Sequence, residues 1–236
     1  MIAVFKREFR AFFTSPIGYI VMAIFFGFSG YFFYYFNLRG GSTSLSSVFT
    51  QLFSIVVLVV LPVLTMRSFS DEKRQKTDQA LFTAPVSLTG VVVGKFLAAL
   101  LLFALSLSIT IVYGIVISTQ ATPDWTVIFG NYFGMVLLGG MVIAAGLFFS
   151  SLTESQFIAA LVTFAFSFVM MMIDNVASLF AFNETLASAI SFLSVYARYT
   201  NFTQGLINYD NVFFFLSMQV LFLFLTVRSL DAKRWN

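Results

Sequence analysis

Six apolar stretches, each long enough to cross a bilayer, take up most of this 236-residue chain. A spanning helix needs about 20 mainly apolar residues, and that window selects residues 17–36, 48–66, 91–118, 128–150, 156–173 and 212–230. The chain is 10% charged, against about 25% in soluble domains, so it belongs in a membrane. The expected fold is an all-α membrane protein, one transmembrane domain over residues 1–236. Its 33 Phe residues serve lipid contact and helix packing equally well and identify no ligand. Cys and His are both absent, which removes thiol nucleophiles, disulfides, thiolate or imidazole metal sites and the usual general base. Metal-centred and Ser-His-Asp catalysis are thereby excluded, and a net charge of +3 leaves no nucleic-acid footprint.

Six spans put both termini on one side, and the basic residues sort accordingly. Of thirteen, only Arg39 and Arg198 fall on the opposite face from the termini. The positive-inside rule makes the termini cytoplasmic, together with the loop at residues 67–90. That loop is the densely charged connection: Arg67, Asp71, Glu72, Lys73, Arg74, Lys76 and Asp78 lie within twelve residues. Lys6, Arg7, Glu8 and Arg10 interrupt the opening residues, so no removable signal peptide is expected and the N-terminus stays attached. Residues 2–14 set Ile2, Phe5, Phe9, Phe12 and Phe13 against Lys6, Arg7 and Arg10, the pattern of an amphipathic elbow helix lying in the cytoplasmic interface. Pro16 then sits where a new helix begins, since its missing N–H is harmless there.

The opposite side carries one long connection, residues 174–211. It is half apolar without a run of spanning length. Short re-entrant helices fit it best, provided their backbone ends are covered by protein or water. In the fourth span Gly130, Gly134, Gly139, Gly140 and Gly146 allow close helix approach, either to other spans or to a second copy of the chain.

Few residues could carry chemistry. Gly90-Val-Val-Val-Gly94-Lys95 invites comparison with a phosphate-binding loop. It has three residues between the glycines where that motif needs four, lacks the Ser or Thr after Lys, and opens a span instead of following a strand. Lys95 reads as an interface anchor, and the chain carries no ATPase motif. Glu154 lies in an inner turn and Asp174 at an outer span end, positions that do not make a proton relay. Ser106, Ser108, Thr110 and Ser167 are expected to bond back to their own helices.

Residues 67–87, RSFSDEKRQKTDQALFTAPVS, resemble the signature after the second span of type 2 ABC exporter permeases. Residues 146–156, GLFFSSLTESQ, resemble that family's turn between spans four and five. The opening Lys6-Arg7-Glu8-Phe9 with Ser15-Pro16-Ile17-Gly18-Tyr19, and residues 199–207, look like the gliding-motility-associated GldF-like subgroup. The resemblance implies an elbow helix, six spans, a cytoplasmic coupling helix after span two and re-entrant helices before span six. It also implies two ABC ATPase subunits, which would bind the ATP and Mg, and a second permease copy or a related membrane subunit with a large outer domain. The chain departs from the family in having Lys76 where many relatives have Gly, and Gln79 where they have Glu.

The expected function is a permease subunit of an ATP-driven exporter in a bacterial inner membrane. Asp71, Glu72, Lys73, Arg74, Thr77, Asp78 and Gln79 would couple to the ATPase, with Glu154 nearby and Leu81 and Phe82 as apolar contacts. Lys6, Arg7 and Arg10 would seat the elbow. Asp174, Arg198, Tyr199, Phe202 and Gly205 would form an outer gate. The alternative is a membrane subunit that transmits motion to an extracytoplasmic partner and moves no substrate. A secondary carrier or intramembrane enzyme lacks the ionisable mid-span residues and the catalytic cluster it would need.

Overall fold

The computed structural model describes residues 1–76, 87–179 and 192–234. Among them every regular element is helical. Helix α1 (Ile2–Thr14) precedes α2 (Pro16–Phe33), which a π-helical turn, Tyr34–Arg39, prolongs. The second span is composite: α3 (Ser46–Ile55), a π-helical stretch Val56–Val60 and α4 (Leu61–Thr65), followed by the short α5 (Ser70–Arg74). The third divides into α6 (Leu88–Leu107) and α7 (Ile109–Ser118). Then come α8 (Trp125–Leu152), α9 (Gln156–Leu179), α10 (Val195–Thr203) and α11 (Tyr209–Arg234). Six stretches are long and apolar enough to cross a membrane: Pro16–Arg39, Ser46–Arg74, Leu88–Ser118, Trp125–Leu152, Gln156–Ala177 and Tyr209–Ala232. Their number is the six expected from the sequence.

Local chemistry sets where these helices start and bend. The Ser15 hydroxyl accepts from Ile17 N–H with Pro16 in the first turn of α2. Ser87 caps α6 by accepting from Gly90 N–H, and Asp124 caps α8 by accepting from Thr126 and Val127. Pro62 can donate no hydrogen bond to the preceding turn, and the stretch ahead of it widens into the π-helical form. At Ser108 the Ala104 carbonyl accepts from the Ser108 hydroxyl at 3.0 Å and from the Tyr132 hydroxyl at 3.1 Å. These competing donors sit where the third span breaks.

The fourth span forms the centre. In its spanning window 78% of residues are buried, against 17% for the fifth. Its inner glycines face other spans of the same chain, a Cβ on Gly139 standing 2.3 Å from Phe103 and one on Gly146 2.2 Å from the Thr65 hydroxyl, while Gly130 and Gly134 face Phe202 and Gly205 at the end of α10. Between the two uses left open for these glycines, the structure shows close packing within the chain. Ser106, Ser108 and Thr110 bond back to Leu102, Ala104 and Leu107 as expected. The Ser167 hydroxyl does not and is buried without a partner among the described residues.

Candidate functional site

The charged loop begins by folding back against the inner end of the fourth span. Phe69, at the N-cap of α5, offers no side-chain acceptor. The fourth span supplies one instead: the Ser150 hydroxyl accepts from the backbone N–H groups of Phe69 and Ser70, each at 3.1 Å, and donates to the Met66 carbonyl at 3.2 Å. Lys73 is turned inward and its ammonium donates to the Ser151 carbonyl. Gln156 donates to one Asp71 oxygen, and the other pairs with Arg67 at 2.6 Å. Arg67 also donates to the Ser15 hydroxyl at 3.0 Å. Two sequence segments some eighty residues apart thus make one polar unit.

A second junction lies beside it. Lys95 is only 3% exposed, and its ammonium reaches Glu72 at 2.9 Å, Glu8 at 3.2 Å and the Ser68 carbonyl at 2.7 Å. Arg7 completes the cluster, contacting Glu8 at 2.6 Å and Glu72 at 3.1 Å. The hydrogen bond and charge of Glu8, with those of Glu72, hold the Arg7 pKa above its ordinary value. Lys95 is therefore a buried hub, where an interface anchor was expected from the sequence. The glycines before it explain how α1 comes so near: a Cβ on Gly94 would stand 3.2 Å from the Met1 carbonyl, the Phe5 nitrogen and the Val4 side chain. Gly90 and Gly94 are a small-residue seat for α1. Sequence reasoning weighed these glycines only against a phosphate loop; their four-residue spacing at the start of an apolar helix was the signal for packing.

The remaining expected coupling residues divide cleanly. Arg74 and Glu154 are exposed. Arg74 and Glu154 line one shallow depression of about 600 Å³ with Met66, Gln156 and Phe157. Thr77, Asp78, Gln79, Leu81 and Phe82 lie outside the described residues. Of the expected elbow residues, Lys6 and Arg10 are exposed and Arg7 turns to the loop.

On the opposite side, α10 packs on the outer half of the fourth span. Tyr199 is fully buried, stacks on Phe53 at 5.1 Å and donates to Asn131 at 3.3 Å. Burial pushes its hydroxyl pKa well up, so it stays a donor. Phe202 lies where a Cβ on Gly134 would meet its ring at 2.6 Å, and Gly205, at φ +77°, passes against Gly130. Arg198 is sandwiched between the rings of Phe192 and Phe214, at 4.6 and 4.3 Å, and donates to Asn211 at 3.2 Å. Asp174 stands apart from these contacts, one carboxylate oxygen buried without a hydrogen bond among the described residues.

The model of ABC-2 family transporter proteins matches residues 14–171, more than half of the chain and including both motif segments. The chain belongs to this family. The ABC-2 protein is thus a multi-pass membrane subunit of an ABC transporter, with an ABC ATPase as its partner. A comparison with curated proteins finds no match.

Proposed function

We propose that this ABC-2 subunit is an exporter permease that receives the ATPase stroke at α5 and the inner turn around Glu154. The observation that carries the reading is the union of the loop after the second span with the end of the fourth through Ser150 and Ser151 and with the start of the fifth through Gln156. Force applied to α5 reaches the central helix directly, and through Glu72 and Lys95 it reaches the third span and α1. Arg74 and Glu154 stand on the exposed side of this unit and are the charges available to a partner. In this reading the loop and both termini face the cytoplasm of a bacterial inner membrane, α1 is the elbow, and two ATPase subunits bind ATP and Mg. A second permease or related membrane subunit completes the assembly. The opening and late segments, by their resemblance, support a GldF-like member of the family. Tyr199, Phe202 and Arg198 hold α10 as the outer cap of the path.

The test uses the complex with its ATPase in proteoliposomes. Arg74→Glu with Glu154→Arg should lower permease-stimulated ATP hydrolysis about tenfold, the equivalent of about 1.4 kcal/mol of contact energy, with membrane insertion unchanged. Unchanged turnover in the double variant counts against the site. ATP-dependent work on an outer protein without substrate flux would move the assignment from exporter to motion-transmitting subunit.

A further inference from the structure

A groove between the start of the third span and the end of the sixth is separate from the coupling unit. It is lined by Thr89, Val92 and Val93 from α6 and by Val220, Leu223, Phe224, Val227, Arg228 and Asp231 from α11, with a volume of about 430 Å³. This lies within the range of about 300–1,000 Å³ common to small-ligand sites. The α11 residues recur at three- and four-residue steps, one continuous stripe on the helix. Polarity is graded along it. Val220, Leu223, Phe224 and Val227 are apolar, whereas Arg228 and Asp231 stand at the end level with Thr89.

The stripe from position 220 to 231 rises about 16 Å at 1.5 Å per residue. That is about half of the 30 Å hydrocarbon core, the depth of a single leaflet. The polar end carries both signs of charge. Arg228 is exposed and its guanidinium lies 5.3 Å from the Phe224 ring centre, while the Asp231 carboxylate forms no ion pair within 4 Å among the described residues. Two opposite charges three residues apart on one helix face, not bonded to each other, complement a ligand that carries an anion and a cation side by side. The groove also opens at the amino end of α6, where the helix dipole favours an anion.

We propose that this groove binds one phospholipid with an ethanolamine headgroup, from the leaflet on the side of the two termini. Its phosphate meets Arg228 and the Thr89 hydroxyl, its ammonium meets Asp231, and an acyl chain lies along Val92, Val93, Val220, Leu223 and Val227. An anionic lipid without an amine satisfies Arg228 and leaves Asp231 repelled. A second copy of this chain could cover the apolar stripe but supplies no reason for the graded end.

Native mass spectrometry of the full-length chain in detergent, titrated with phosphatidylethanolamine and phosphatidylglycerol of identical acyl chains, tests this. The wild type should retain the ethanolamine lipid about threefold to fivefold more strongly, the range of an interfacial ion pair. Asp231→Asn should abolish the preference, Arg228→Gln should weaken both lipids, and Val220→Trp should remove the bound lipid by filling the groove. Equal retention of the two lipids by the wild type, or undiminished lipid in Val220→Trp, overturns the proposal. A change of oligomeric state in Val220→Trp would also overturn it, by assigning the groove to a protein contact. None of these readouts needs the ATPase, so failure here is independent of the coupling assignment.

Discussion

At the scale of single residues, Lys76 shows how backbone and family pattern meet. It is the only non-glycine with positive φ among the described residues, at +55°, immediately after α5. Left-handed backbone costs a residue with a Cβ roughly 1–2 kcal/mol and costs glycine little. A glycine at this position, which the resemblance to type 2 permeases leads one to expect, would have this physical reason. Lys76→Gly should raise thermal stability in detergent by about 1 kcal/mol, whereas Lys76→Val should lower it, and melting curves of the purified chain distinguish the two. Lys95 illustrates the opposite case, a charge whose partners make it necessary. Lys95→Met removes the buried cation that both half-buried carboxylates, Glu8 and Glu72, contact and should cost about 3 kcal/mol, the low end for removing one member of a buried pair. Lys95→Arg should recover much of it, since a guanidinium can still meet both carboxylates.

At the scale of elements, the helices were legible because six apolar runs of spanning length leave a chain little choice, and because Pro16 marks a helix start in the sequence. The role of the fourth span was half legible. Its glycines announced close approach, but only the fold shows that Phe103, Thr65, Phe202 and Gln219 fill their faces. Gly139→Ala should therefore cost about 2 kcal/mol by overpacking, and Phe103→Ala in the same chain should relieve part of it. The coupling between the two substitutions, read from a thermal or denaturant double-mutant cycle, should be at least about 0.5 kcal/mol. The polar unit was less legible. Charge density drew attention to residues 67–78, yet the sequence could not show that Lys73 and Asp71 turn inward to Ser151 and Gln156 while Arg74 stays outside. Ser150 gave no signal as a cap, because it serves a helix eighty residues earlier in the chain.

At the scale of the whole molecule, the inner ends of α1 and of the second, third and fourth spans are tied by ion pairs and hydrogen bonds, joined at Gln156 by the start of α9, whereas the rest of α9 keeps a broad apolar face bare. Phe157, Leu161 and Val169 are more than half exposed along that helix, and Ile158, Phe164 and Phe168 are exposed beside them. Motion imposed on α5 is therefore expected to move the tied group together. In the ATPase complex, Lys95→Met should reduce permease-stimulated ATP hydrolysis more than Ser29→Ala, which removes a hydroxyl pair with Tyr113 far from the loop. Equal losses in the two variants would assign Lys95 to general stability alone. The seat of α1 has one more consequence, for biosynthesis. The ribosome completes α1 long before Gly90 and Gly94 emerge, so the earliest helix has no berth until the third span is in the membrane. Glu8 waits for the lysine that will neutralise it, and a nascent chain halted ahead of Leu88 should leave its leading segment open to protease.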